Sequence, residues 1–127
     1  MMDQFPGRRA LAVVAEDEPL VRMETADMLR DAGFEVEEVN HASDALANLE
    51  QRGGVALLVT DIRMPGTMDG IALAHEVARR WPDTRIVICS GVVRPDASDL
   101  PTGAHFLEKP FFPSRLRTAV KDLAGEA

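Results

Sequence analysis

Five side chains that could do chemistry lie at the ends of short apolar segments of the sequence or just after them. They are Glu16, Asp17, Asp61, Ser90 and Lys109. Three carboxylates brought together repel one another, so a fold that keeps them ionised must supply a cation. Mg²⁺ is the obvious candidate, because it prefers hard oxygen ligands and typically binds one or two carboxylates together with waters and a phosphate oxygen.

The lysine and the serine suit the chemistry of a phosphoryl group. Lys109 carries a point charge on a flexible stem, which could pair with Asp61 and then with phosphoryl oxygens. The Ser90 hydroxyl could donate a hydrogen bond to the same group. The whole set therefore indicates phosphoryl chemistry on a carboxylate.

The segments that must position these residues alternate between two patterns. Short apolar runs predict five strands, at residues 10–15, 34–39, 55–60, 85–90 and 104–107. The segments after the first, second, third and fifth strands carry apolar residues at helical spacing. Pro19 and Pro113 suit the first turns of the first and last of these helices, and Gly33 is placed to end the first.

This alternation predicts an α/β protein with a doubly wound, five-stranded parallel sheet and helices on both faces, because parallel strands can be joined only through crossovers. In such sheets, function gathers where loops leave the carboxyl ends of the strands. The connection from Gly91 to Gly103 is short and contains Pro95 and Pro101, so we expect the fourth helix to be short or irregular.

Composition narrows the class of protein. The 127 residues predict one domain, and the longest apolar runs are too short for a membrane span. The N-terminus lacks the apolar stretch of a secretory signal, and the single Cys89 cannot form an internal disulfide, so we expect a cytoplasmic protein. The net charge of −7 lies in residues 1–60, and no basic cluster predicts direct binding of nucleic acid.

Four motifs of the chain resemble those of the response-regulator receiver domain of two-component signalling. They are AEDEP after the first strand, VTDIRMPGTMDG after the third, ICSG after the fourth and EKPF after the fifth. The resemblance covers roughly residues 10–124 and leaves 1–9 and 125–127 as tails. It implies the flavodoxin-like receiver fold in a stand-alone, single-domain protein.

The resemblance also implies roles at the site. Asp61 would accept phosphate from a sensor histidine kinase, a histidine phosphotransfer protein or a small acyl phosphate. Asp17, Asp61 and the main-chain carbonyl of Arg63 would hold Mg²⁺, and Glu16 would help directly or through water.

A second group of residues would bind the phosphoryl group or respond to it. By the same resemblance, Ser90 and Lys109 would bind the phosphoryl group, Phe106 would change rotamer with Ser90, and Arg63 and Val92 would tune the rate of dephosphorylation. The protein would be a regulatory switch and no enzyme beyond its own phosphoryl transfer and autodephosphorylation. Its output would be a protein contact with an unidentified partner, and homodimer formation stays open.

The sequence departs from the family pattern at three points and leaves three alternative interpretations. Glu16 stands where the family more often has aspartate, the loop between Pro65 and Gly70 has one additional residue, and we expect the fourth helix to be short or irregular. Phe106 is nearly as well explained as a plain core residue. The main alternative function is a pseudo-receiver that binds proteins without phosphorylation; a small phosphatase is disfavoured, because no second carboxylate closely follows Asp61 and no cap segment is present.

Overall fold

The computed structural model describes residues 10–91, 94–111 and 113–123. Strands and helices alternate along these residues in the predicted order. The elements are β1 (Leu11–Ala15), α1 (Pro19–Asp31), β2 (Glu35–Val39), α2 (Ala42–Arg52), β3 (Leu57–Asp61), α3 (Gly70–Arg80), β4 (Arg85–Ser90), β5 (His105–Glu108) and α4 (Pro113–Leu123), with one 3₁₀ turn (Ala97–Asp99) between β4 and β5.

The five strands form one parallel sheet in the order β2-β1-β3-β4-β5. The chain therefore starts near the middle of the sheet, moves outward to β2, and crosses back over β1 to continue in the opposite direction. This order has its switch point between β1 and β3, where the loops on either side diverge and leave a crevice. The predicted doubly wound α/β fold is confirmed.

Alternate side chains of the central strands supply two separate apolar cores. Val13 and Leu58 belong to the core on one face of the sheet, where α2 and α3 pack. Val14 and Val59 belong to the core on the other face, where α1 and α4 pack. This division follows from the pleat, which points successive side chains to opposite faces. Burial of each such side chain contributes roughly 1.5–3 kcal/mol, so the two cores hold the strand ends in place.

The helices begin and end at the residues that the sequence indicates. Pro19 occupies the first position of α1, and the preceding Glu18 side chain accepts a hydrogen bond from the main-chain N–H of Leu20 at 3.0 Å. Helix α2 ends at Gly53, whose φ of 69° is the left-handed conformation that glycine adopts without strain. Across the described parts of the chain, no helix has both the length and the apolar content needed to cross a bilayer.

The described residues between β4 and β5, 91 and 94–104, form no full helix, as predicted. In its place stands the 3₁₀ turn, closed by reciprocal hydrogen bonds between Asp96 and Asp99. His75 on α3 contacts the carbonyl oxygen of Asp99 through Nε2 at 2.7 Å, which ties the turn to the body of the protein. The prediction of a short or irregular helix between β4 and β5 is therefore confirmed.

Candidate functional site

Three carboxylates meet at the carboxyl ends of β1 and β3. The two strands are paired so that Ala15 lies beside Thr60, which brings the next residues, Glu16 and Asp61, to neighbouring positions. Carboxylate oxygens of Glu16, Asp17 and Asp61 all lie within 4.8 Å of one another. Glu16 and Asp61 are buried and Asp17 is exposed, so the cluster opens to solvent on one side. The structure thus brings together the three predicted side-chain ligands.

Lys109 reaches this cluster from the segment after β5. Its main-chain N–H donates to the carbonyl of Ser90 at 2.9 Å, which extends the pairing of β4 and β5 beyond the end of β5. Its Nζ lies 2.6 Å from Oε1 of Glu16 and 3.3 Å from Oδ1 of Asp61. The sequence predicts a pair between Lys109 and Asp61, and the structure shows that Glu16 is the nearer partner.

The extra methylene of glutamate explains this preference for Glu16. Its longer side chain extends across the end of the sheet, where Oε1 accepts from Lys109 and Oε2 accepts from the main-chain N–H of Glu18 at 3.2 Å. Only 6% of the Glu16 side chain is exposed, so these charge-assisted bonds replace water that the carboxylate has lost.

The pKa values of Glu16, Asp61 and Lys109 are all raised at this edge of the sheet. Burial raises the pKa of Glu16, and the charge of Asp61 adds to this effect, although the hydrogen bond from Lys109 opposes it. Burial likewise raises the pKa of Asp61, against the opposing charge of Lys109. For Lys109, burial alone would lower the pKa, but the hydrogen bond with Glu16 and the charge of Asp61 outweigh it and leave the pKa raised. Burial makes both carboxyl groups costly to ionise, and a bound divalent cation would stabilise their charged forms.

The loop after β3 is held close to the Asp61 main chain. The N–H of Gly70 donates to the carbonyl of Ile62 at 2.8 Å, and the Asp69 side chain caps α3 by accepting from the N–H of Ala72 at 2.8 Å. A Cβ atom at position 70 would lie 1.8 Å from the carbonyl oxygen of Asp61. Only glycine fits there, so the Asp–Gly pair that ends the motif fixes the loop beside the acceptor. Neither residue is among those that the sequence predicts for the site.

The other predicted site residues occupy different environments. Ser90 ends β4 and is buried, with 2% of its surface exposed. Phe106 on β5 is half-buried against the core that faces α2 and α3, and the Arg94 guanidinium lies over its ring at 5.6 Å. Arg63 is exposed two residues after Asp61. Val92 lies outside the described residues.

The donor set fits a hard divalent cation. It offers three carboxylates and an open side toward solvent, which is the mixture of protein ligands and water that Mg²⁺ prefers. No histidine or cysteine belongs to the group, so within the described residues the chemistry favours oxygen ligation throughout. Cys89 lies nearby, but burial raises the pKa of its thiol to about 12, and it is a buried apolar neighbour rather than a ligand.

The fold and this edge place the chain among flavodoxin-like α/β proteins with a site at the β1/β3 switch point. Comparison with known families narrows the class further. The family model for the response regulator receiver domain matches residues 12–121, and the chain belongs to that family. Receiver domains are regulatory switches, and family members generally bind Mg²⁺ at an acidic cluster of this kind.

Individual relatives agree with this assignment. The sensor kinase CckA of Brucella abortus is 36% identical over 118 residues, covering 90% of this chain but only 12% of CckA. A response regulator receiver protein from Sinorhizobium medicae has a TM-score of 0.86 and 31% identity, covering 93% of this chain and 96% of that one. The response regulator TrrA of Thermotoga maritima, crystallised in complex with Mg²⁺-BeF, has a TM-score of 0.77 and 26% identity, covering 90% of this chain and 98% of that one.

Proposed function

We propose that the protein accepts a phosphoryl group on Asp61 in a Mg²⁺-dependent reaction and passes the signal on by a protein contact. The donor would be the phosphohistidine of a sensor histidine kinase or a histidine phosphotransfer protein, or a small acyl phosphate. The observation that carries this proposal is the position of Lys109 Nζ between Glu16 and Asp61, at the edge where the three carboxylates meet. Relatives that include a sensor kinase support the class of donor.

The transfer requires little beyond positioning and charge. A carboxylate oxygen of Asp61 would attack phosphorus, while the bond between phosphorus and the histidine nitrogen breaks and the ring nitrogen takes a proton. The transition state of such transfers is loose and spreads charge over the phosphoryl oxygens, so fixed cations stabilise it. Lys109 lies 3.3 Å from Asp61 Oδ1 and can turn toward those oxygens, exchanging its bond to Glu16 for one to the phosphoryl group.

The metal would be held by the residues of the acidic cluster. Asp17, Asp61 and the main-chain carbonyl of Arg63 would bind Mg²⁺, with Glu16 contributing directly or through water. When bound, Mg²⁺ supplies neutralisation of the charge on the transferred group. The Mg²⁺-BeF complex of the similar protein TrrA supports this part of the proposal.

The conformational change would extend from the acceptor Asp61 to the strand at the edge of the sheet, β5. Ser90, at the end of the strand beside β3, would turn toward the phosphoryl group, and Phe106 would take the space that Ser90 leaves. Both states would exist before phosphorylation, and the modification would shift their populations. Arg63 and Val92 would tune the rate at which water removes the phosphoryl group.

The extent and setting of the protein belong to the same proposal. We place the receiver domain at residues 10–124 between short tails at 1–9 and 125–127. The downstream partner is a protein, with a second copy of this chain as one candidate, and a cytoplasmic location is part of this proposal. Beyond its own phosphoryl transfer and autodephosphorylation, we propose no catalytic turnover.

The test is the intact mass of the protein after incubation with acetyl phosphate, with and without Mg²⁺. We expect one phosphoryl adduct that requires Mg²⁺ and is absent in Asp61→Asn. Asp69→Asn is the matched control: it removes a nearby carboxylate outside the cluster, and asparagine can still cap α3. This control should be modified like the wild type.

Two outcomes would contradict the proposal. An adduct that persists in Asp61→Asn would mean that another residue is the acceptor. No adduct with acetyl phosphate or with phosphorylated kinase donors would favour the pseudo-receiver, which binds partners without modification.

A further inference from the structure

All four polar groups of Glu16 are held by other residues. Its main-chain N–H donates to the carbonyl of Val39 at 3.0 Å, and its two carboxylate oxygens accept from Lys109 and from the N–H of Glu18. The fourth group, the main-chain carbonyl, accepts a hydrogen bond from Nη1 of Arg22 at 3.0 Å. The arginine therefore fixes the turn between β1 and α1, which carries two of the three clustered carboxylates.

Arg22 is itself held in place by two elements. Its main-chain N–H donates to the carbonyl of Glu18 at 2.9 Å in the first turn of α1. Its Nε lies 3.4 Å from Oε1 of Glu38 on β2, and the other oxygen of Glu38 accepts from Arg30 at 3.1 Å. Only 20% of the Arg22 side chain is exposed. The planar guanidinium thus has one edge on Glu38 and another donor on the turn, a two-point contact that lysine cannot reproduce.

We infer that Arg22 is a positioning residue for the metal site: it holds the β1–α1 turn so that Glu16 and Asp17 stay opposite Asp61. This inference rests on the proposed function, because it assigns Arg22 a part in Mg²⁺ binding. The arginine acts through the main chain of Glu16, one residue before Asp17. Outer contacts of this kind orient metal ligands and set the affinity of the site.

Position and charge predict opposite effects when the guanidinium is removed. Arg22 brings a positive charge to a turn with two carboxylates, and that charge opposes the binding of another cation. If charge dominated, Arg22→Met would bind Mg²⁺ more tightly than the wild type. If position dominates, the freed turn spreads its carboxylates over several arrangements, and Arg22→Met binds more weakly. The sign of the change therefore separates the two roles.

The experiment is a Mg²⁺ titration of the full chain, in which binding is monitored through the amide chemical shifts at the ends of β1 and β3. We expect Arg22→Met to bind Mg²⁺ about 10-fold more weakly, the lower end of the losses caused by removing outer contacts of metal ligands. Arg22→Lys keeps the positive charge and one donor, so its affinity for Mg²⁺ should lie between those of the wild type and Arg22→Met.

The matched control is Arg52→Met. Arg52 also pairs with a glutamate of β2, at 3.2 Å from Glu37, but contacts neither the turn nor the cluster. Its loss changes the net charge by the same amount and breaks an ion pair with the same strand, although that pair is more exposed, at 42% and 45% against 20% and 26%. We expect its affinity for Mg²⁺ to stay within about twofold of the wild type, because a distant surface charge is screened by salt.

A second readout needs no metal. In the metal-free protein, the amide of Glu16 should exchange with solvent faster in Arg22→Met than in Arg52→Met, because the turn opens locally. A third readout splits affinity from rate: in Arg22→Met, phosphorylation by acetyl phosphate should need more Mg²⁺ for half-maximal rate but reach a maximal rate close to that of the wild type.

The outcomes for Arg22 and for the proposed function are distinguishable. Equal or tighter Mg²⁺ binding by folded Arg22→Met would overturn the inference while the wild type still binds Mg²⁺ and accepts phosphate. A fall in maximal rate without a change in the Mg²⁺ requirement would also overturn it. Absence of Mg²⁺ binding and of phosphorylation in the wild type would instead overturn the proposed function on which the inference rests.

Discussion

The interiors of β1 and β3 differ sharply from their carboxyl ends, although only one or two residues separate the two regions. Leu58 and Val14 are fully buried among apolar neighbours and stabilise the fold by leaving water. Glu16 and Asp61 are also buried, but burial works against their charged forms and raises the pKa of each. Burial in the strand interiors therefore favours folding, whereas burial at the strand ends opposes the charged forms of the carboxylates. Such a contrast is the physical mark of a functional site.

The largest loss of stability is expected from a substitution that leaves a cavity in the strand interior. Leu58→Ala should lower the free energy of unfolding by about 3 kcal/mol, because the removed atoms leave a hole in a core that can only partly collapse. Urea denaturation measures the change. The control Leu20→Ala alters a side chain that is 64% exposed and should cost less than about 0.5 kcal/mol. Similar values for both variants would mean that the interior does not carry the stability.

At the strand ends, the lysine should stabilise the carboxylates it contacts. Lys109→Met should lower the unfolding free energy of the metal-free protein by about 1–3 kcal/mol at neutral pH, because buried Glu16 loses its partner at 2.6 Å. Phosphorylation by acetyl phosphate should slow on the order of 100-fold, as when one fixed donor to a developing charge is removed. Adding Mg²⁺ should recover part of the lost stability. A variant as stable as the wild type would show that Lys109 serves the reaction alone.

Replacing Asp61 should raise the unfolding free energy, whereas replacing Lys109 should lower it. Because its pKa is raised, the folded protein holds this proton more tightly than the unfolded chain, and ionisation costs stability as pH rises from the unfolded pKa through the folded one. Asp61→Asn removes this cost. In metal-free urea denaturation, it should be more stable than the wild type at neutral pH, with the difference shrinking as the pH falls toward the unfolded pKa. A less stable variant at neutral pH would mean that Lys109 compensates Asp61 fully.

The smallest effect is expected in the connection between β4 and β5. Arg94 pairs with Glu108 at 3.1 Å, but the two side chains are 72% and 67% exposed. Arg94→Ala should therefore change the free energy of unfolding by less than about 0.5 kcal/mol. Denaturation beside Leu58→Ala gives the comparison. A loss above 1 kcal/mol would show that the contact of Arg94 with Phe106 organises this segment more firmly than its exposure indicates.

The fold could be predicted almost entirely from the sequence. Strand and helix periods, the prolines that open helices and the glycines that end them are local signals, and each one appears in the structure where the residues place it. The short connection before β5 was predictable for the same reason, since chain length and proline limit a helix without reference to other elements. The limits of β4 are as predicted, and those of the other strands differ by at most two residues, because pairing with a neighbouring strand sets where a ladder ends.

The site was predictable in membership but not in its contacts. A residue at the carboxyl end of a parallel strand must lie at the same edge as its counterparts, so Glu16, Asp17 and Asp61 could be grouped from the sequence. The sequence could not predict which carboxylate lies nearest to Lys109. Lys109 and Glu16 are 93 residues apart, and the distance between their side chains depends on how both are placed in the folded sheet.

Arg22 and Gly70 show what tertiary structure alone decided. The sequence presents Arg22 as one more charged residue of an amphipathic helix, and only the packing of α1 beside β2 turns its guanidinium toward the Glu16 carbonyl. Glycine is required at position 70 because a Cβ atom there would lie only 1.8 Å from the carbonyl oxygen of Asp61. The sequence by itself determined the order of elements and the chemical types at the strand ends, since both are local properties. The partners of each charge and the directions of the pKa shifts depend on burial and on long-range distances, which exist only once the chain has folded.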